Sequence, residues 1–178
     1  MDRIGQAAPL HDIGKLAVSD TILLKRGNLT PEQWDQIRSH TTAGHEILRA
    51  TASNVLSLAA EIALTHHEWW DGSGYPCGLK GEQIPLSGRI VALADVYDSL
   101  CHERPYKRAW TVEQAVAEIH RLDGTQFDPA VVHAFNQLDP HKLAGHPPTQ
   151  PRRRATRPGR EDALKQPVGM VDVGDSHA

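Results

Sequence analysis

Histidine and aspartate residues that together could bind metal ions stand at four places in the sequence: His11-Asp12, His40, His66-His67 and Asp95. The dipeptide His11-Asp12 lies between apolar residues, and the pair His66-His67 ends a predicted helix. Asp95 lies inside an apolar helical run, where an unpaired carboxylate is unfavourable, so it needs a partner such as a cation. Adjacent helical residues point about 100° apart, so neighbouring ligands are expected to bind two neighbouring metals rather than share one.

The types of these ligands define the chemistry of the predicted site. The candidate ligands offer only nitrogen and oxygen donors: His11, Asp12, His40, His66, His67 and Asp95. Imidazole mixed with carboxylate suits iron, manganese, cobalt, nickel or zinc, and it argues against a thiolate zinc site. Two such metals about 3.5–4 Å apart, with Asp12 bridging them, would activate water and hold a phosphodiester for in-line attack. Lys15 follows one turn later and could neutralise phosphate charge or assist the leaving oxygen.

Each of these residues also has a simpler interpretation. A single histidine near an apolar face is more often a hydrogen-bonded core or surface residue, and a buried hydrogen bond would explain Asp95 alone. His-Asp and His-His dipeptides also occur by chance. The joint occurrence of all these residues in one short helical chain favours a metal site, although spacing alone does not identify a substrate.

The elements that must position these ligands are predicted to be helices. Thr30, Pro31 and Gln33 form a capping-box helix start, and this helix is expected to run to about residue 49 with His40 late in it. Further helices are predicted at residues 53–67, 87–100, 111–122 and 128–138. Turn residues dominate residues 68–86, and no alternating strand pattern or internal repeat is found. The predicted fold class is all-α.

Composition limits the class of protein. The chain has 178 residues, a formal charge of −3 and two cysteines, which do not make a disulfide framework. No stretch approaches the roughly 18 apolar residues of a membrane span. A cytoplasmic protein without a membrane or nucleic-acid partner is predicted. Residues 140–178 are rich in proline and arginine and predict a disordered tail, whose arginines either are simply solvated or touch nucleic acid or an acidic partner.

Five separated motifs resemble the HD-GYP family, in the family's order. They are His11-Asp12-Ile13-Gly14-Lys15, His66-His67-Glu68, Asp71-Gly72-Ser73-Gly74-Tyr75-Pro76, Ala94-Asp95-Val96-Tyr97-Asp98 and Arg104-Pro105-Tyr106-Lys107. The likeness covers residues 7–138, and residues 124–129 resemble the family's closing segment. Agreement of five motifs makes the resemblance specific.

This resemblance implies an all-helical HD-domain bundle with a small GYP-type helical hairpin. It implies a phosphodiesterase that hydrolyses cyclic di-GMP to the linear dinucleotide pGpG or on to GMP. Two or three divalent metals, iron or manganese, would be bound by the six ligands above, with Asp12 and Lys15 catalytic. The resemblance also implies substrate-binding residues and, as partners, GGDEF-type, receiver or sensor domains. The substrate-binding residues would be Gly74, Tyr75, Pro76, Arg104 and Lys107.

One departure from the family pattern lies at the start of the chain. Family members carry earlier helices that supply a further histidine ligand, whereas only ten residues precede His11 here. Residues 1–139 are therefore predicted to be an HD-GYP domain lacking its first helices, with exposed apolar faces that reduce stability or favour a homodimer. Three alternatives to a cyclic di-GMP phosphodiesterase remain open. One is a non-catalytic module that binds cyclic di-GMP or a protein, another is an HD-type hydrolase of another nucleotide, and the third is nucleic-acid binding through the arginine tail.

Overall fold

Helices make up almost all regular structure in the part of the chain that the computed structural model describes, which is residues 3–25, 27–50, 53–103 and 109–144. All these residues lie within one unit, residues 1–147. The α-helices are α1 Arg3–Ala7, α2 Asp20–Leu23, α3 Pro31–Arg38, α4 His40–Arg49, α5 Asn54–Thr65, α6 Leu86–Cys101, α7 Val112–Arg121, α8 Pro129–Phe135 and α9 Pro140–Leu143. Short 3₁₀ helices lie at Ala8–Leu10, Ile13–Ala17 and Gly81–Gln83. The described residues contain no strand, and the all-α prediction is confirmed.

The helix starts follow the capping signals in the sequence. Thr30 accepts a hydrogen bond from the Gln33 backbone, and the Gln33 side chain accepts one from the Thr30 backbone, so the predicted capping box is confirmed. Thr111 and Gln114 form the same arrangement at α7. Asp128 caps α8 by accepting from the Ala130 N–H. These local bonds satisfy backbone donors that the helix itself leaves unpaired.

The predicted helix from residue 31 to residue 49 is two helices. α3 ends at Arg38 and α4 begins at His40, with a bend at Ser39. The Ser39 hydroxyl donates to the Gln36 carbonyl at 2.8 Å, a back-bond of the kind that bends helices. The prediction that His40 lies late in a helix is wrong, because His40 is the first residue of α4.

Two hydrophobic clusters hold the helices together, and α6 belongs to both. The first cluster packs α1, α4 and α5 against Val91 of α6, and its α5 residues are mainly alanines, which let helices approach closely. The second cluster packs α6 against α7 and α8 around Phe127 and Ile119. Burying one such large side chain contributes about 1.5–3 kcal/mol. Because α6 packs in both clusters, the two clusters together hold the helix that carries Asp95 in place.

Gly14 allows a close approach between the first segment and α4. A Cβ atom at this position would clash with the backbone oxygen of His40. The absence of a side chain at Gly14 therefore lets the segment that carries His11 and Asp12 lie directly against the start of α4. This contact brings the predicted ligands His11 and Asp12 to His40.

The folded part extends beyond the predicted end of the domain at residue 139. Asp139 caps the short helix α9, and the hydroxyl of Tyr97 donates to the Pro140 carbonyl at 2.8 Å. Ala144 is buried against the second cluster. The rest of the predicted tail, residues 145–178, lies outside the described residues. In the described part of the chain no helix is long and apolar enough to span a membrane.

Candidate metal centre

Three histidines are oriented by the same device, a hydrogen bond to a carbonyl about one helical turn earlier. His11 Nδ1 donates to the Ala8 carbonyl at 2.8 Å, and His40 Nδ1 donates to the Ile37 carbonyl at 2.6 Å. His66 Nδ1 lies 3.1 and 3.0 Å from the carbonyls of Ile62 and Ala63. A carbonyl can only accept, so each Nδ1 carries a proton and each Nε2 is left to face another partner. Metal-binding histidines show this arrangement as a rule.

The three Nε2 atoms converge on Asp12. The Nε2 atom of His40 lies 3.4 Å from Asp12 Oδ1, and that of His66 lies 3.9 Å from the same oxygen. His11 Nε2 lies 3.3 Å from the other oxygen, Oδ2, and 3.7 Å from Asp95 Oδ1. All these residues were predicted as ligands from their sequence patterns, and the fold brings them together.

His67 completes a group around Asp12. One donor atom from each of four residues lies within 4.8 Å of every other, and the four are Asp12, His40, His66 and His67. Which metal His66 and His67 would each bind stays a prediction, but the geometric argument that set their rings apart does not hold. It assumed that both residues are helical, whereas α5 ends at Thr65 and His66 is already the C-cap. The chain turns after His66, so both rings face the same space.

Unpartnered polar atoms support cation binding at this site. His11 Nε2 and Asp12 Oδ1 are buried and have no hydrogen-bond partner among the described residues. Buried polar atoms almost always have partners, because desolvating them without compensation is unfavourable. The two orphaned atoms, one nitrogen and one carboxylate oxygen, match the donors that iron, manganese or zinc accept. The residues present therefore fit a divalent cation.

The electrostatics keep three of the histidines neutral. Burial lowers the pKa of His40, and it lowers the pKa of His67 well below its usual value. The pKa of His66 falls to about 4, first through burial and then through the nearby charges of His11 and His40. Neutral imidazole is the form that binds a metal.

His11 and the carboxylates behave differently. Burial lowers the pKa of His11, but the neighbouring carboxylates of Asp12 and Asp95 outweigh burial and raise it to about 10. Burial raises the pKa of both carboxyl groups, and their contacts with His11 more than offset this, so both values lie below the usual range. Both carboxyl groups are therefore ionised near neutral pH, as a metal ligand requires.

Lys15 lies beside this centre, as the sequence predicted. Its ammonium group forms an ion pair with Asp12 Oδ2, and its side chain is 43% exposed. The charge therefore lies at the boundary between the buried ligands and solvent. A cation in this position can meet an incoming phosphate.

The loop that contains Gly74, Tyr75 and Pro76 lies over the ligand group. The Tyr75 ring stacks on the ring of His67, with 4.9 Å between centroids and 27° between planes. A Cβ atom on Gly74 would clash with the backbone nitrogen of Trp69, so the loop can only pass this closely with glycine there. Pro76 is exposed and follows a cis peptide bond. The structure brings this predicted substrate loop to the predicted metal ligand His67.

Two residues near the loop were missed as site residues by the sequence reasoning. The guanidinium of Arg38 lies 5.4 Å from the centroid of the Tyr75 ring, a cation–π distance. Glu68 is buried and accepts hydrogen bonds from two backbone N–H groups of the loop. No sequence signal marks Arg38. Glu68 follows directly after the two histidine ligands and precedes a turn-rich segment, which was a usable signal.

The predicted substrate contacts Arg104 and Lys107 lie outside the described residues. Their predicted role in contacting phosphate or guanine therefore stays a prediction. The remaining predicted residues of the site all lie in the described part of the chain, around Asp12 and Tyr75.

Comparison with known proteins agrees with this arrangement. The HD-domain family profile matches residues 2–131. The chain is 55% identical over 133 residues to a cyclic di-GMP phosphodiesterase of Thermotoga maritima, covering 75% of this chain and 36% of the relative. It is 50% identical over 132 residues to the cyclic di-GMP phosphodiesterase response regulator RpfG of Xanthomonas campestris pv. campestris, covering 74% of this chain and 35% of the relative. The chain thus spans about a third of the length of these relatives.

Relatives with a different named substrate also match. A 3'3'-cGAMP-specific phosphodiesterase 2 of Vibrio cholerae is 48% identical over 131 residues, covering 74% of this chain and 25% of the relative. A crystal structure of a cyclic GMP-AMP specific phosphodiesterase of Vibrio cholerae (V-cGAP3) shares the fold, with a TM-score of 0.55 and 22% identity over 76% of this chain and 37% of that chain. With the family profile, the ligand motifs and the loop of residues 74–76 in agreement, the chain belongs to the HD-domain family, in its HD-GYP group.

Proposed function

We propose that this chain is the catalytic domain of a metal-dependent phosphodiesterase that hydrolyses cyclic di-GMP to pGpG, GMP or both. The observation that carries the proposal is the convergence of the Nε2 atoms of His11, His40 and His66 on the carboxylate of Asp12. Relatives named cyclic di-GMP phosphodiesterases, at 55% and 50% identity, support the choice of substrate.

The donor set supports the proposal of two neighbouring cation sites. The first would use Asp12, His40, His66 and His67, whose donor atoms lie within 4.8 Å of one another. The second would use His11 and Asp95, which lie 3.7 Å apart and share Asp12 with the first group. A divalent cation there supplies Lewis acidity, which polarises a phosphoryl oxygen and makes water a stronger nucleophile at neutral pH. Iron and manganese are the proposed metals, in two sites or, as the family resemblance allows, three.

The chain's own side chains supply the other parts of the reaction. Hydrolysis adds water across a P–O bond, and the leaving oxygen must then gain a proton. Lys15, which the ion pair with Asp12 holds beside the ligands, is proposed to neutralise the phosphodiester and assist this oxygen. Tyr75 offers an aromatic face and Gly74 a close-lying backbone for the nucleotide. Arg104 and Lys107 are proposed to contact phosphate or the guanine edge.

A second substrate, 3'3'-cGAMP, is favoured by the relative at 48% identity that is named for it. Both dinucleotides carry the same two phosphodiester groups and differ in one base. The metal ligands and Lys15 would treat the phosphates alike, so discrimination must come from contacts with the base edge.

A product assay with both dinucleotides tests the proposal. The purified chain is loaded with Mn²⁺ or, without oxygen, Fe²⁺, and the products are separated by chromatography. We expect turnover of cyclic di-GMP that a chelator abolishes and a His66→Ala variant lacks. If the chain hydrolyses 3'3'-cGAMP but not cyclic di-GMP, then 3'3'-cGAMP is the substrate. Binding of cyclic di-GMP without turnover would support the non-catalytic module. If the chain neither binds nor hydrolyses cyclic di-GMP, the proposed function is contradicted.

Partners and location also belong to this proposal. Receiver, sensor or GGDEF-type domains are proposed as partners, supported by the response-regulator relative. A homodimer is proposed because large apolar side chains are exposed on the first segments, notably Leu16 at 80% and Leu24 at 77%. A cytoplasmic location stays a prediction from the two free cysteines.

A further inference from the structure

Glu68 is a buried acidic residue that the proposed reaction does not use. Its side chain is only 2% exposed and follows directly after His67 in the chain. Its oxygens accept hydrogen bonds from two backbone N–H groups, Cys77 at 2.7 Å and Leu79 at 2.9 Å. Both donors belong to the loop that contains Tyr75, so Glu68 joins this loop to the end of the ligand-bearing segment.

A third backbone contact strengthens the same connection. The Tyr75 N–H donates to the carbonyl of His67 at 3.1 Å. The amides of residues 75, 77 and 79 are therefore all bound by two consecutive residues, His67 and Glu68. With the Tyr75 ring also stacked on the His67 ring, the loop is held against a metal ligand by its backbone and by its side chain.

We infer that Glu68 is a positioning residue, which holds Tyr75 over the metal centre so that the loop can bind the nucleotide. The inference rests on the proposed function, because it assigns Glu68 a part in substrate binding rather than in metal binding. The Glu68 carboxylate is not one of the four grouped donors, and it accepts hydrogen bonds from the loop backbone, so it would act through Tyr75. Removing the two hydrogen bonds between Glu68 and the loop should therefore weaken substrate binding and leave metal binding intact.

The Glu68→Gln variant tests these two hydrogen bonds with little change in the shape of the side chain. A carboxylate accepts both N–H bonds, whereas the amide of glutamine has one oxygen and one NH₂ group, which faces an N–H donor and cannot bond it. We expect KM for cyclic di-GMP to rise about tenfold with kcat changed less than about threefold, as the loss of one charge-assisted hydrogen bond predicts. Mn²⁺ affinity, measured by calorimetry, should stay within about twofold of wild type because no ligand changes.

Glu61→Gln is the matched control. Glu61 lies on α5 and accepts one hydrogen bond, from the Ser87 hydroxyl. Glutamine can accept this single bond through its remaining oxygen, so the same substitution should leave KM unchanged. A Glu61→Gln effect equal to that of Glu68→Gln would mean that a general loss of packing explains both, and it would overturn the inference.

A double-mutant cycle with Tyr75→Ala separates positioning from a merely structural role. If Glu68 acts through Tyr75, the Glu68→Gln substitution should change KM by less than about twofold in the Tyr75→Ala background, because the two effects are coupled. Additive effects would overturn the inference, since they would show that Glu68 acts by another route.

Hydrogen exchange keeps the test independent of activity. Backbone amides of residues 71–81 should exchange faster in Glu68→Gln than in wild type, and those of residues 31–49 should not change. Unchanged exchange in the loop would overturn the inference. A wild-type chain that hydrolyses no cyclic dinucleotide would contradict the proposed function, while this exchange comparison would still decide whether Glu68 holds the loop.

Discussion

The candidate metal centre and the loop over it are held in place in different ways. In the metal centre, His11, His40 and His66 are each oriented by a carbonyl three or four residues earlier in the chain. The loop is held by Glu68, whose carboxylate accepts from backbone N–H groups nine and eleven residues later. The Trp70 N–H donates to the carbonyl of Gln126, which follows α7 in the chain. Local contacts thus orient the ligands, whereas long-range contacts place the loop. Changes in one region should therefore alter metal binding and changes in the other substrate binding.

The largest expected effect comes from removing one ligand. His66→Ala takes away an Nε2 atom from the group around Asp12 and should lower both metal content and turnover by more than about 100-fold, since even changes behind a ligand cost 10–100-fold. Metal content after gel filtration and turnover of cyclic di-GMP measure this.

The control for this prediction is His45→Ala. His45 lies on α4, donates from Nδ1 to the Ala60 carbonyl at 3.1 Å and is not part of the ligand group. The His45→Ala substitution should lower the stability of the fold and leave metal content unchanged. Equal loss of metal in both variants would contradict the assignment of His66 as a ligand.

Lys15→Met should lower kcat by about 100-fold, the typical effect of removing one group that stabilises developing charge. Metal content should remain, because Lys15 contacts Asp12 without being a nitrogen ligand of the group. Steady-state kinetics with Mn²⁺ measure the change. Lys142→Met, at an exposed position that pairs only weakly with Asp139, is the control and should have wild-type kinetics. A Lys15→Met enzyme with unchanged kcat would remove Lys15 from the reaction.

Gly74→Ala should act on the loop alone. The added methyl group would clash with the Trp69 backbone, and the loop must move away from His67 to avoid it. Such overpacking costs about 1–3 kcal/mol, so KM should rise about tenfold while metal affinity is unchanged. Kinetics and Mn²⁺ titration measure the two quantities. Loss of metal in this variant would mean that the two regions are not separable.

The smallest effect is expected for Arg38→Ala. The cation–π contact of Arg38 with the Tyr75 ring is worth about 0.5–1 kcal/mol, so KM should rise about two- to fivefold. Arg49→Ala, which removes an exposed arginine paired with Glu46, provides a control on the neighbouring helix. Identical KM values for the two variants would show that the contact with Tyr75 contributes nothing to substrate binding.

Local patterns in the sequence predicted a large share of the fold. The capping boxes at Thr30 and Thr111 marked two helix starts within one residue, because a cap involves residues only three apart. The bend at Ser39 was missed, since serine occurs both within helices and at bends, and α4 has its own packing against the segment of Gly14. Asp95 was identified from its apolar neighbours, and its contact with His11 agrees.

The candidate site divides in the same way. The sequence by itself determined the types of the candidate ligands and the family, and local contacts orient the imidazoles of His11, His40 and His66, because the carbonyls that orient them lie within one helical turn. Only the tertiary structure decided that His66 and His67 face one space, that Arg38 lies near Tyr75 and that Glu68 binds the loop. These contacts depend on where helices end and how their cores pack, and such long-range contacts have no short repeating pattern from which to predict them.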